Sequence, residues 1–317
     1  MYMGGGNYGA NFEKWFNDRF FGRDWLLSIN SYAFDVLRTH GNDKVLIGKD
    51  GWLFYKGDNS LRNFQNLDLF TDKELKNAVK YLTDINEWAK ANGKQFYYMI
   101  CPDKNKIYSE YLPYVNQINP DSKSRANQLI KYLQENTDVK VIYPYEALHK
   151  AKENGLLYRK NDTHWNSLGA YIGYMELMSS IIKDIEVNIY KYDKTENKQI
   201  LKGDLTNMIK NVAEETSFYN LPMIENESKC NGEDKKSKDM KCINSNKKFK
   251  VFILRDSFTT SLAPYLNNTF NEVNYRWRHN IKKEDFNNLK KADIIILEQV
   301  ERYVIKLKNL SFPKGVK

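Results

Sequence analysis

The stretch Phe249-Lys-Val-Phe-Ile-Leu-Arg-Asp-Ser-Phe258 decides the fold. Val251, Phe252, Ile253 and Leu254 form an apolar run without alternation, which predicts a strand buried on both faces. Arg255, Asp256 and Ser257 follow at once, and a short helical pattern begins after them. Strands that alternate with helices in this way predict a mostly parallel sheet covered by helices. Sites in open α/β sheets form at the carboxyl ends of strands, where helix N–H groups also point. Ser257 stands at such an end. Two readings are open there. Ser257 is a nucleophile with backbone N–H groups ready for an oxyanion, or Asp256 or Ser257 caps the next helix.

Working outward, residues 95–103 (QFYYMICPD), 139–145 (VKVIYPY), 273–277 (VNYRW) and 292–300 (ADIIILEQV) predict further strands. The segment 44–55 (KVLIGKDGWLFY) predicts a hairpin turning at Asp50-Gly51. A helix is expected from Thr71 to Ala91, with Thr71 and Glu74 as a capping box and Gly93 as its stop. A second is expected over 121–135. A third follows Ser167, where Leu168, Tyr171, Ile172, Met175, Met178, Ile181 and Ile182 share a face. Residues 1–43 read as an N-terminal helical extension, with Phe12, Trp15, Phe16, Phe20, Trp25 and Leu26 at helical spacing. Residues 44–317 read as one α/β domain. It carries a polar, Lys-rich insertion near 186–248, read as an extended and partly mobile loop.

The composition narrows the function. The chain has 317 residues, 41% hydrophobic and 28% charged, which suits a globular domain and excludes a disordered one. The net charge is +9. The lysines are spread along the chain, with no zinc-finger spacing, aromatic RNA-binding signature or basic helix, so a solvated surface is expected and no nucleic acid. The three cysteines form no CxxC, and no His/Asp/Glu/Cys set has metal-ligand spacing, so neither metal nor cofactor is expected. Cys230 and Cys242 flank a polar stretch and can pair if the protein is exported; Cys101 reads as a buried free thiol. No segment is apolar for long enough to span a membrane. The opening MYMGGGNYGA reads as a truncation scar, so a targeting or anchoring segment is expected outside the chain.

The second chemical motif is Asn161-Asp-Thr-His-Trp-Asn-Ser-Leu-Gly169. Of the four histidines, His164 has an aspartate two residues before it. On a loop, that spacing lets Asp162 hold one imidazole nitrogen while the other faces a cleft, as a general base requires. The alternative is a structural histidine near a helix start. Ser257 on a strand end, with Asp162 and His164 on a distant loop, makes a triad that folding can assemble.

Together with Ile47-Gly-Lys-Asp-Gly-Trp-Leu-Phe-Tyr55, Pro102-Asp103-Lys104, Asp162-Thr-His-Trp-Asn166, Asp256-Ser-Phe258 and the closing Glu298, Glu301 and Arg302, the chain resembles the alginate O-acetyltransferase family. The resemblance implies an SGNH-hydrolase-like three-layer sandwich. It implies that Ser257 accepts an acetyl group and passes it to a hydroxyl of an extracellular polysaccharide, with His164 as base then acid and Asp162 orienting it. The Ser257 N–H would be one oxyanion donor. It further implies a monomer at the cell exterior or surface, membrane-anchored, drawing acetyl groups from a membrane-bound O-acyltransferase. An acetylesterase with the same triad and a non-catalytic polysaccharide-binding subunit are the alternatives. Many SGNH enzymes have Gly-Asp-Ser; here Arg255 replaces that glycine, and Arg255, Trp165 and Arg302 are the candidates for contacting substrate or supporting the triad. Trp165 either stacks on a sugar ring or anchors its loop. Glu301 and Arg302 are expected as an ion pair bracing the strand end. Lys49-Asp50-Gly51 is expected to be a turn, and Asp103-Lys104 a solvated loop bordering the cleft.

Overall fold

The computed structural model describes residues 41–113, 116, 123–199, 202–209, 217–231 and 238–314. The expected helical extension lies outside the described residues up to residue 40. Strands β1 (Val45–Ile47) and β2 (Leu53–Tyr55) form the expected antiparallel hairpin, pairing Leu46 with Phe54. Asp50 and Gly51 turn it with positive φ angles of 53° and 77°.

Helix α1 (Asp72–Ala91) begins with the reciprocal Thr71–Glu74 capping box. It leads into β3 (Gln95–Cys101). Helix α2 (Arg125–Asn136) is capped by Ser124 and precedes β4 (Lys140–Ile142). Helix α3 (Tyr145–Ala151) follows. Helix α4 (Ser167–Ile181) starts where the Asn166 side chain accepts the Gly169 N–H. Strand β9 (Lys248–Leu254) passes through Ser257 into a helix over Thr259–Thr269, and from there into the parallel strand β10 (Phe270–Arg276). Strand β11 (Ile294–Val300) lies between β3 and β9, parallel to both.

The alternation of side chains across the sheet builds two cores. Phe96, Tyr98, Ile100, Phe252, Leu254, Ile295 and Leu297 face α1, α2 and the 3-10 stretch Glu301–Asn309. Tyr97, Met99, Cys101, Val251, Ile253, Ile294 and Ile296 face α3, α4 and the Thr259–Thr269 helix. The molecule is thus a three-layer α/β sandwich around a mostly parallel sheet, as expected for an SGNH-like fold.

The insertion departs from the loop reading. Strands β5 (Thr195–Gln199) and β6 (Phe218–Pro222) pair antiparallel. A one-turn helix, α5 (Asp204–Met208), lies between them in sequence. Strands β7 (Lys229–Cys230) and β8 (Met240–Ile243) extend the central sheet beyond β10, with β8 antiparallel to it. The full order is β4-β3-β11-β9-β10-β8-β7. These elements lie at edges, so few side chains need to be apolar. Strand β5 is Thr-Glu-Asn-Lys-Gln and carries no apolar pattern at all. Strand β6 does alternate: Tyr219 and Leu221 are buried while Phe218 and Asn220 are exposed.

Cys230 and Cys242 occupy directly paired positions on β7 and β8 and form a disulfide; Cys101 is free and buried. Thiol titration of the unfolded, unreduced protein is expected to find one thiol, Cys101. Three titrating thiols would contradict the pairing.

Candidate active site

Three strands deliver their carboxyl ends to one rim of the sheet. β3 ends before Asp103, β9 before Asp256-Ser257, and β11 before Glu301-Arg302. The Asp256 carboxylate stitches two of these ends, accepting the Phe258 N–H at 2.9 Å and the Val300 N–H at 2.7 Å. The Asp103 carboxylate accepts the Arg302 N–H at 3.0 Å and pairs with the Arg302 guanidinium. That pairing corrects one expectation: Arg302 bonds Asp103 rather than Glu301. Glu301 instead accepts from the Tyr143 hydroxyl at 3.1 Å and faces the Lys106 ammonium at 3.6 Å. Burial pushes the Asp103 carboxyl up to about 6, against the pull of Arg302.

Glu298 lies beneath the Ser257 turn, fully buried. It accepts the Asp256 N–H at 3.1 Å and the Thr259 hydroxyl at 2.5 Å, one on either side of Ser257. The Cys101 thiol donates to its other oxygen at 3.1 Å. Burial, then the charge of Asp256, push the Glu298 carboxyl up to about 8. Burial also pushes Asp256 up, but the nearby His279 ring and the two backbone N–H groups outweigh it and hold Asp256 below its ordinary value.

Two of the turn's backbone donors are taken. Asp256 N–H and Phe258 N–H are bonded to carboxylates, whereas Ser257 N–H has no acceptor among the described residues. The N-cap position of the following helix is Phe258, without a side-chain cap of its own, and Asp256 takes the N–H of that residue.

The histidine loop is closed at its base by a bridge between Tyr158 and Trp165. Lys104 holds it from below. Its ammonium donates to the carbonyls of Arg159 at 3.1 Å, Lys160 at 3.0 Å and Asp162 at 2.6 Å. Asp103 and Lys104 are therefore buried, not solvated: the aspartate has a guanidinium partner and the lysine a ring of carbonyls. The hairpin joins in, with Leu53 N–H donating to Lys160 O at 2.9 Å.

Within the loop, Asp162 Oδ1 accepts both the His164 N–H at 2.9 Å and, at 2.7 Å, the His164 ring at Nδ1. An ionised carboxylate only accepts, so the imidazole proton is assigned to Nδ1 and Nε2 is left as acceptor. Ser257 Oγ lies 2.7 Å from Nε2 and donates to it in that tautomer. The structure thus brings Ser257, His164 and Asp162 together from segments 93 residues apart. Burial pushes the Asp162 carboxyl up, but the hydrogen bonds and charge of His164 outweigh it and hold it well below its ordinary value.

Trp165 is 1% exposed and presents no face to solvent. Its indole N–H donates to Phe258 O at 2.9 Å, which ties the histidine loop to the serine turn. Helix α4 makes room for the ring at Gly173, where a Cβ would sit 2.8 Å from it. The Arg255 guanidinium lies 4.4 Å from the Trp277 ring, donates to Lys238 O at 3.1 Å, and reaches the serine turn at Asp256 O and Thr260 Oγ1, at 3.4 and 3.3 Å. Arg302 lies over the rings of Tyr55, Phe258 and Tyr303 at 5.3, 5.7 and 5.3 Å.

One residue beside the histidine has no counterpart in the sequence reading. Asp204, at the start of α5, places Oδ2 3.6 Å from His164 Nδ1. Its carboxylate accepts the Thr163 N–H at 2.7 Å and the Thr163 hydroxyl at 2.5 Å. No motif announces it, since it stands alone in a polar segment 40 residues after the loop it serves. Ligand atoms of Asp162, His164 and Asp204 fall within 4.8 Å of one another. A cation there would have to break the bond between Asp162 and His164.

Comparison with known proteins follows the same lines. The model of a family described as "SGNH hydrolase-like domain, acetyltransferase AlgX" matches residues 45–282. The chain is 23% identical over 186 residues to the "Probable alginate O-acetylase AlgJ" of Pseudomonas putida, covering 55% of this chain and 44% of that protein. It spans less than half the length of the curated relatives it matches. A DHHW family protein from Eubacterium siraeum superposes with a TM-score of 0.61 at 17% identity, covering 87% of this chain and 98% of that one. The O-acetyltransferase domain of Pseudomonas putida AlgJ superposes with a TM-score of 0.53 at 17% identity, covering 84% and 99%. At such identities, these structures share the fold.

Glu298 makes the rim sensitive to pH. Its folded value of about 8 lies above the ordinary carboxylate value of 4.5, so the native state holds a proton that the unfolded chain releases. Its contribution to stability is therefore full below pH 4.5 and lost as pH rises toward 8. Glu298→Gln is expected to flatten the fall in urea-unfolding stability across that window. An unchanged slope would show that Glu298 is ionised in the native protein.

Proposed function

The chain belongs to the SGNH hydrolase-like family of the acetyltransferase AlgX, and from that premise we propose that it is a serine O-acetyltransferase acting on hydroxyls of an extracellular polysaccharide. The observation that carries the reading is the relay Ser257–His164–Asp162, with both contacts at 2.7 Å. Ser257 Oγ attacks the acetyl carbonyl as His164 Nε2 takes its proton. The Ser257 N–H, which has no acceptor among the described residues, would receive the developing oxyanion. The bond to the donor's leaving group breaks, and His164 returns the proton to that group. A sugar hydroxyl then attacks the acetyl-serine, giving its proton to His164, which passes it back to Ser257 as the ester leaves. Asp162 holds the ring and offsets the positive charge during both half-reactions.

The reading includes an exported protein. A disulfide between Cys230 and Cys242 suits an oxidising compartment. No helix among the described residues is long and apolar enough to cross a membrane. The acetyl source would be a membrane-bound O-acyltransferase, as the family resemblance implies. Co-purification from detergent-solubilised membranes of the native host tests that partnership, and repeated recovery with no such protein counts against it.

The central test is transfer. Purified protein is given an isotopically labelled activated acetyl ester together with candidate exopolysaccharides. Label is expected in alkali-labile ester linkage to a glycan, falling by roughly 100-fold or more in Ser257→Ala and in His164→Ala. Release of free acetate alone, with every glycan unlabelled, would make the protein an esterase. Neither product above background would leave a binding subunit.

A further inference from the structure

The insertion delivers a second carboxylate to the histidine, and we propose that Asp204 is a positioning residue of the acyl-transfer site that stabilises the His164 imidazolium alongside Asp162. The inference rests on the functional reading of Ser257 and His164 above.

The placement is built by several independent contacts. Gly203 passes so close to the histidine loop that a Cβ there would lie 2.2 Å from Asn161 O, so the approach requires glycine. Leu205 N–H donates to the same carbonyl at 3.2 Å. The Leu205 side chain is buried in a small core with Val45 and Leu53 of the hairpin. The Asn42 amide donates to Met208 O at 2.6 Å. Helix α5 is thus pinned to β1 and β2 on one side and to the loop of Asp162 on the other. Its first residue falls beside the imidazole as a consequence.

Asp204 then acts on the two neighbours of His164. Its backbone N–H donates to Asp162 Oδ2 at 3.2 Å, leaving Oδ1 for the imidazole. Its carboxylate takes the N–H and the hydroxyl of Thr163. At 3.6 Å from Nδ1 its Oδ2 is too far for a good hydrogen bond but well within reach for a charge. When His164 takes the serine proton, two carboxylates face one imidazolium. Asp162 orients the ring, and Asp204 adds negative potential without competing for the Nδ1 proton. Burial, then the charge of Asp162, raise the Asp204 carboxyl from its ordinary value, and the Thr163 hydroxyl opposes them.

The other charged and titratable groups here are Tyr55 on β2, which feels both Asp204 and Arg302, Lys104 beneath Asp162, and Arg302 at the end of β11. A substitution at Asp204 removes one of the charges that Tyr55 feels, while Lys104 keeps its carbonyl partners and Arg302 its carboxylate.

The experiment measures the burst of p-nitrophenol from p-nitrophenyl acetate between about pH 5 and 9, for wild type, Asp204→Asn, Asp204→Ala and Ser257→Ala. The amide keeps an oxygen for Thr163 but removes the charge. With the charge gone the imidazolium is less favoured, so the acid limb of the acylation rate is expected to move down by about one pH unit. The plateau is expected to fall by less than the roughly 100-fold loss for His164→Ala. A purely structural pin predicts a wild-type limb in Asp204→Asn and a slow plateau in Asp204→Ala alone; that result would overturn the proposal. Asp204→Ser supplies the same comparison if thermal unfolding shows that the amide variant does not fold. A wild-type burst that Ser257→Ala does not abolish would instead sink the functional reading beneath it.

Discussion

Lys104 is 2% exposed, and its ammonium is bound by the carbonyls of Arg159, Lys160 and Asp162 and lies 5.6 and 5.4 Å from the rings of Trp52 and Phe54. Taking an ammonium out of water costs several kcal/mol unless its donors are met. Here they are met by the backbone of the histidine loop. The loop cannot lift without stranding the charge, and Lys104 cannot leave without freeing three carbonyls. An irregular segment with no sheet or helix of its own is thereby given one shape. The geometry between Asp162 and His164 inherits that shape.

The serine turn is held by the same logic with opposite sign. Asp256 and Glu298 are buried acids that collect backbone N–H groups from β11 and the turn itself. One is kept charged by its donors and the other is pushed toward its neutral form by burial and by its neighbour. Trp165 then links the two assemblies through Phe258 O. The distance between His164 and Ser257 is the product of a buried cation on one side, buried acids on the other, and one indole between them.

Most of the sheet was legible because buried parallel strands leave long apolar runs, as at 95–101, 251–254 and 294–297. The serine is legible because it stands beside a short polar signature at the end of such a run, and the histidine because an aspartate stands two residues before it. Other parts follow from three-dimensional pairing alone. Asp103 and Lys104 look like any hydrophilic dipeptide after a strand, and their burial depends on Arg302 and on three distant carbonyls. Arg302 was assigned to its sequence neighbour Glu301, yet parallel pairing of β3 with β11 sets it beside Asp103. The insertion hid its strands because edge strands can be polar on both faces. With them it hid Asp204, whose role comes from Gly203 and Leu205 packing on elements more than 40 residues away. Trp165 was open to two readings, and the room made by Gly173 turns it inward.

Mapping the covalent intermediate bears most directly on this account. The protein would be mixed briefly with an activated acetyl ester, quenched in acid, digested and sequenced by mass spectrometry, with Ser257→Ala alongside. The account predicts one acetyl group on the peptide containing Ser257, on the serine oxygen, and no stoichiometric acetylation of the variant. Acetylation confined to lysines, or equal in both proteins under quenching that traps acyl-serines of a control esterase, would contradict it.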